Sequence, residues 1–164
     1  MEEYLWNRDG GRPILSEDEG RMLSSFLREI KPIIERALSN LYGQFPDSGM
    51  SLREHRRDKC INNDSICNEL KTGGTWTVNI VTSTDTGKNP DGSDHQGVPH
   101  GHTISVIEIS EEWVAVIDIS CAQFAPLNED LDTEFLLRFV KRRDLEGYLQ
   151  MTFGGGKWEL EEWK

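Results

Sequence analysis

Three residue types that together can activate a sulfur nucleophile lie far apart along this chain, each at the edge of a different predicted element. Cys60 begins an apolar pattern with helical spacing, His102 opens an alternating apolar run, and Asp118 closes the next such run. A thiol needs a base to become nucleophilic, and an imidazole base needs a partner that holds its tautomer and orientation. These residues therefore predict thiol chemistry, provided that the fold brings them together.

The elements predicted around Cys60, His102 and Asp118 can bring the three side chains together. Two strands at about 102–109 and 113–119 are joined by Ser110-Glu111-Glu112 and should form a hairpin. The start of one hairpin strand lies beside the end of the other, so His102 and Asp118 can meet. Cys60 is expected at a helix N-terminus, where the partial positive charge favours a thiolate.

Each candidate has a rival or a structural interpretation. Cys67 falls on the apolar face of the same predicted helix, and it is the alternative nucleophile if the helix register differs. Cys121 is expected to be structural, and the three cysteines are predicted to be free thiols because an odd number cannot all pair. His100 is the rival of His102, which we prefer because it directly precedes the alternating run. Asp118 ends an apolar strand, and a carboxylate there needs a partner.

Metal binding is the main chemical alternative. Zinc accepts ligands of the types found at His95, His100 and His102 with Cys60 or Cys67. No paired-cysteine or His-Glu-x-x-His spacing accompanies them, and the acidic loop with Asp85, Asp91 and Asp94 lacks the calcium-loop pattern. We therefore expect no metal site and no cofactor.

Composition limits the function classes. The 164 residues suit one domain spanning 1–164, and the net charge of −11 argues against nucleic-acid binding. Neither a transmembrane span nor a secretory signal is recognisable, so a cytoplasmic location is expected, with export as a toxin or effector left open. Four cationic residues precede Cys60: Arg53, Arg56, Arg57 and Lys59. They either form one solvated face or supply a positive potential. Such a potential would lower the pKa of the Cys60 thiol or attract an acidic partner.

The order of elements indicates an α+β fold, with N-terminal helices packed on an antiparallel sheet. An irregular lead-in (1–15) precedes a helix that begins after Ser16 and that Pro32 should kink or divide. In the middle of the chain, the sequence predicts a loop at 43–51, a helix from about 62 or slightly earlier to 71 that ends at Gly73-Gly74, a strand at 76–81 and a long loop at 84–100. Towards the C-terminus, it predicts a strand rather than a helix at 135–141, a short helix at 144–150, and a tail at 154–164 that docks through Trp158 and Trp163 or stays loose.

The segments Lys59-Cys60, His102-Thr-Ile-Ser-Val-Ile-Glu and Trp113 to Asp118-Ile-Ser with Gln123-Phe124 resemble the papain-like and transglutaminase-like cysteine superfamily. The resemblance covers residues 59–124 and implies a papain-like topology. It implies Cys60 as nucleophile, His102 as general base and acid, and Asp118 as the residue that orients His102. Gln123 and His100 are expected as supporting residues. Gln44 lies far upstream for an oxyanion donor, so backbone amides near Cys60 are the candidates.

The sequence thus predicts a thiol-dependent hydrolase or acyl transferase acting on amide or ester carbonyls. Water as acceptor would make it a protease or deamidase, and an amine acceptor would make it a transglutaminase or acyltransferase. The expected partner is a protein or peptide substrate, with a basic one among the options. The alternative is a non-catalytic acidic binding protein, of inhibitor, immunity or adaptor type, that keeps the fold and engages a basic protein surface.

Overall fold

The structure is a computed structural model that describes residues 1–46, 49–70, 75–82, 101–153 and 156–162. For residues 75–82, 101 and 156–162 the description concerns the backbone. The predicted loop at 84–100, with His95, His100 and its three aspartates, lies outside the described residues, as do the predicted Gly73-Gly74 helix end and Trp163. Within the described part of the chain, no helix is long and apolar enough to cross a membrane.

The first helix, α1 (Glu17–Gln44), begins where the sequence predicts. The Ser16 hydroxyl accepts a hydrogen bond from the Glu19 amide, and the Glu19 carboxylate accepts one from the Ser16 amide, which together form a capping box. Of the two effects predicted for Pro32, a kink or a division of the helix, the division is wrong. Pro32 is exposed and lies inside one continuous helix, and the neighbouring residues Ile30, Ile33 and Ile34 are buried in the core.

Three shorter helices follow among the described residues. The helix α2 (Leu52–Arg56) is capped by Ser51, α3 (Asp64–Leu70) continues a 3-10 turn at Cys60–Asn63, and α4 (Leu145–Phe153) confirms the predicted short C-terminal helix. Further 3-10 turns lie at Glu2–Tyr4, Cys121–Phe124, Glu129–Leu131 and Arg142–Asp144.

In the part of the chain that the structure describes, five strands form one antiparallel sheet in the order β4-β3-β2-β1-β5. They are β1 (Thr75–Thr82), β2 (Gly101–Glu108), β3 (Trp113–Asp118), β4 (Leu136–Lys141) and β5 (Gly156–Glu162). The predicted hairpin is present as β2 and β3, with Ser105 opposite Ile117. The segment predicted as strand rather than helix is β4, and part of the tail pairs with β1 as the edge strand β5.

Alternating residues of the sheet enter two separate cores, because successive strand side chains point to opposite faces. One face, with Ala115 and Ile117, packs against α1 and α3. The other face, with Val114 and Val116, packs against Phe124 and α4. Strand β3 is buried along its whole length. The predicted α+β fold, with N-terminal helices on an antiparallel sheet, is confirmed.

Glu19 fixes the start of α1 to the sheet. Its carboxylate accepts hydrogen bonds from the Trp113 indole nitrogen at 2.8 Å and from the Lys141 ammonium at 3.0 Å. Trp113 begins β3 and Lys141 ends β4, so a single carboxylate caps the helix and holds two strand ends against it.

Candidate active site

His102 and Asp118 form a buried pair at one end of the β2–β3 hairpin. The Nε2 atom of His102 donates a hydrogen bond to Oδ2 of Asp118 over 2.5 Å, and both side chains are fully buried. Extending the observed register places Asp118 opposite Ile104, so His102 is its diagonal neighbour on the same sheet face. A side-chain contact between strands is therefore built into the hairpin.

The carboxylate of Asp118 is held by several donors besides His102. Its Oδ1 accepts hydrogen bonds from the Asn63 side-chain amide at 2.9 Å, from the Ser120 backbone amide at 2.8 Å and from the Ser120 hydroxyl at 2.9 Å. Burial alone would raise the pKa of Asp118, but the charge and hydrogen bond of His102, together with these donors, lower it below the usual 3.8. Asp118 is therefore a buried carboxylate that stays ionised.

The ring of His102 is fixed in position and favoured in its charged form. Burial by itself lowers the pKa of His102, but the Asp118 charge and hydrogen bond, with a contribution from Cys60, raise it to about 9. The rings of Phe124 and Phe153 lie at centroid distances of 4.4 and 5.5 Å. Because Nε2 is bonded to Asp118, the second ring nitrogen, Nδ1, is the one left to exchange a proton.

Cys60 brings its sulfur to this histidine. It begins the 3-10 turn that leads into α3, and its side chain is partly exposed. Burial raises the pKa of the thiol, but the hydrogen bond and the charge of His102, with the Thr103 backbone amide, outweigh burial and lower the pKa below its ordinary value of 9.0. The structure therefore places a partly exposed sulfur, an imidazole and a carboxylate in one site.

The other two cysteines differ from Cys60 in both their burial and the direction of their pKa shift. Cys67 and Cys121 are buried, and burial raises the pKa of each thiol. Cys67 interacts with the Ser105 hydroxyl rather than with His102. The alternative in which Cys67 takes the place of Cys60 beside the imidazole does not match this structure.

Asn63 is a residue of this site that the sequence did not reveal. It is fully buried, and its Nδ2 donates to the Thr103 carbonyl at 2.7 Å as well as to Asp118. Its Oδ1 accepts from the Ile119 amide at 2.8 Å, and its backbone carbonyl accepts from the Ser105 hydroxyl at 2.7 Å. Asn63 thus joins the turn that carries Cys60 to both strands of the hairpin. A polar side chain three residues after Cys60 in an apolar pattern was the available signal.

Gln123 lies on the Nδ1 side of the imidazole. Its amide nitrogen is 3.4 Å from Nδ1 of His102 and donates to the Ser120 carbonyl at 3.1 Å. Its Oε1 accepts from the backbone amide of Asp58 at 3.3 Å, where the chain has a φ of 58°. Gln123 therefore connects the segment before Cys60 to the turn after Asp118. His100, the rival of His102 and the other residue expected to support the site, is outside the described residues.

The cationic segment before Cys60 does not form one solvated face, because Arg56 is fully buried. Its Nη2 donates to Glu134 at 2.6 Å, its Nη1 contacts the His55 ring, and its guanidinium lies 4.7 Å from the centre of the Tyr42 ring. Tyr42 also donates to Glu134. Arg56 is therefore a structural residue that ties α1 and α2 to the segment before β4, whereas Arg57 is exposed.

No group of three or more His, Cys, Asp or Glu side chains that could hold a metal ion occurs in the described ranges. No protein-family model matches the chain, and neither a curated protein nor a solved structure does. The likeness to the papain-like and transglutaminase-like superfamily therefore stays a prediction, and the structure supplies an α+β fold and the geometry around Cys60.

Proposed function

We propose that this protein is a thiol-dependent hydrolase or acyl transferase that attacks amide or ester carbonyls through Cys60. The observation that carries the proposal is the position of His102, which bonds Asp118 through Nε2 and interacts with the Cys60 thiol. The raised pKa of His102 and the lowered pKa of Cys60 both favour the thiolate–imidazolium form of the pair.

The reaction follows from that pair. The Cys60 thiolate forms a carbon–sulfur bond with the substrate carbonyl, and the carbon–nitrogen or carbon–oxygen bond of the substrate then breaks. The proton on Nδ1 of His102 passes to the leaving amine or alcohol, which leaves a thioester on Cys60. Water or an amine attacks the thioester while its proton goes to Nδ1, and cleavage of the carbon–sulfur bond restores the thiolate–imidazolium pair.

Two neighbours would assist these steps. Asp118 stays ionised and stabilises the imidazolium without taking its proton. One amide hydrogen of Gln123 is bonded to Ser120, and when Nδ1 carries a proton the other hydrogen has no acceptor on the ring. That second hydrogen, with backbone amides near Cys60, would donate to the oxygen of the tetrahedral intermediate.

More specifically, we propose that the protein is related to the papain-like and transglutaminase-like superfamily. This relationship is supported by the chain order of Cys60, His102 and Asp118, with the cysteine at a helical start and the other two on adjacent antiparallel strands. The chain departs from the usual pattern at Lys59, where a small residue is common, and at Ile119, where proline is common.

An activated aryl ester tests the chemistry without knowledge of the natural substrate. p-Nitrophenyl acetate should give a burst of nitrophenolate and an acetyl group on Cys60, located by mass spectrometry of the peptides. Cys60→Ala and His102→Gln should each abolish the burst, and Cys67→Ala is the matched control that should retain it. Acetylation that is no greater at Cys60 than at Cys67 or Cys121 would refute the proposal. Adding a primary amine then shows whether water or the amine is the preferred acceptor.

The net charge of −11 supports a second candidate, a non-catalytic protein that binds a basic protein surface. Such binding would weaken steeply with added salt and would survive Cys60→Ala. It is favoured over the first candidate if a basic partner binds in this way and the ester assay gives no burst.

A further inference from the structure

A cavity of about 290 Å³ opens beside the proposed active site, lined by Ser51, Arg53, Glu54, Arg57 and Gln123. Gln123 connects the cavity to the reacting groups, because its amide nitrogen lies 3.4 Å from Nδ1 of His102. Arg57 precedes Cys60 by three residues, so their Cα atoms are at most about 11 Å apart. A substrate bonded to Cys60 could therefore place a neighbouring group in the cavity.

An exposed guanidinium lines this cavity although the whole chain is acidic. Arg57 is exposed and forms no ion pair with a described residue. The carboxylate of Glu54 accepts hydrogen bonds from the amide and hydroxyl of Ser51 at 2.9 and 2.8 Å, and these bonds cap the N-terminus of α2. Arg53 also lines the cavity, and after the Ser51 hydrogen bonds its charge is a further cause of the lowered pKa of Glu54. The exposed guanidinium of Arg57 is therefore the group of the lining that can bind an anion.

We propose that this cavity is a substrate subsite that binds a carboxylate next to the attacked carbonyl. The inference rests on the proposed function and specifies its substrate class: a peptide or protein with an acidic side chain, or a free C-terminus, beside the reacting bond. A guanidinium binds a carboxylate through two parallel hydrogen bonds, which suits Arg57. The volume is small for a complete ligand pocket and fits a single side chain or chain end.

Binding of short peptides to the Cys60→Ala protein, which cannot form the thioester, tests the subsite directly. Three N-acetylated pentapeptides are compared by calorimetry: one with a central Glu and an amidated end, one with Gln and an amidated end, and one with Gln and a free carboxylate. A carboxylate-bearing peptide should bind roughly fivefold more tightly than the neutral one. Preference for the Gln peptide with the free carboxylate carries the same inference and assigns the bound carboxylate to the chain end.

Substitution of the arginine provides the control. Arg57→Gln in the same background should remove the preference for the carboxylate. Arg12→Gln, which makes the same charge change in the N-terminal segment where Arg12 pairs with Glu2, should retain it. Equal binding of all three peptides, no binding of any, or a preference that survives Arg57→Gln would overturn the inference.

Alkylation of the wild-type thiol separates failure of the subsite from failure of the proposed function. Iodoacetate carries a carboxylate and iodoacetamide is its neutral analogue, so the ratio of their rates at Cys60 should fall roughly fivefold in Arg57→Gln. A fast reaction with iodoacetamide and an unchanged ratio would refute the subsite alone. Slow alkylation of Cys60 by both reagents would refute the proposed function, and the peptide measurements would still decide the subsite.

Discussion

The side-chain amide of Asn63 donates a hydrogen bond to Oδ1 of Asp118 over 2.9 Å, and so connects the turn that carries Cys60 to the end of β3. The same residue accepts from the amide of Ile119 through its side-chain oxygen. These contacts are buried, where hydrogen bonds are least exposed to competition from water. Asn63 is therefore a positioning residue for the thiol and the carboxylate together.

Replacing Asn63 tests this role. Asn63→Ala leaves the Ile119 amide without its acceptor and removes one donor from Asp118, so we expect a loss of about 3 kcal/mol in the free energy of unfolding. The Cys60 pKa should also rise, because the turn that carries the sulfur is no longer held against the hairpin. Urea denaturation and the pH dependence of alkylation measure the two effects. Asn68→Ala, at an exposed position on α3, is the control and should change neither.

The Asp118 charge is predicted to control the ionisation of His102. In the wild type, NMR titration of the His102 ring should give a midpoint near 9. In Asp118→Asn the burial that lowers the pKa remains and the largest raising contribution is gone, so the midpoint should fall below 9. A midpoint that is the same in both proteins would show that Asp118 does not hold the imidazolium.

Stability should depend on pH through the same pair. A histidine whose pKa is higher in the folded than in the unfolded chain stabilises the fold fully below 6.5, and this stabilisation is lost as the pH rises through about 9. Cys60 contributes to the raised pKa of His102, so this pKa should be lower in Cys60→Ala than in the wild type. The fall in the free energy of unfolding should therefore end at a lower pH in Cys60→Ala. A fall that ends at the same pH in the two proteins contradicts this expectation.

The buried guanidinium of Arg56 provides a stability test away from the thiol. Glu134→Ala removes the acceptor of both Arg56 and Tyr42, and should cost about 2 kcal/mol of unfolding free energy, since Glu134 itself is half exposed. Glu35→Ala makes the same charge change at an exposed position of α1 and should be nearly neutral. Thermal denaturation of the two variants in parallel measures the difference.

The contact between His102 and Asp118 was predictable because a short turn fixes the register of a hairpin, and the register decides which side chains are neighbours. The start of α1 was predictable for a similar reason, since Ser16 and Glu19 form a capping box within four residues of sequence. In both cases the information is local. The strand β4 also followed from its apolar, β-forming residues.

The residues that could not be predicted depend on contacts between distant segments. Arg56 is buried because Tyr42 and Glu134 provide a ring and a carboxylate from elsewhere in the chain, and a cluster of four cations gives no sign of this. The role of Asn63 could not be predicted, because its hydrogen-bond partners lie on β2 and after β3. Pro32 is accommodated because its side of α1 faces solvent while the opposite side is packed.

The central claim is that His102 activates the sulfur of Cys60, and the pH dependence of Cys60 alkylation by iodoacetamide tests it most directly. In the wild type the rate at Cys60 should rise with a midpoint below 9.0, while Cys67 and Cys121 stay unreactive in the folded protein. In His102→Gln the lowering charge is absent and burial remains, so the midpoint should move above 9.0. A wild-type midpoint at or above 9.0, or one that His102→Gln leaves unchanged, would contradict the claim.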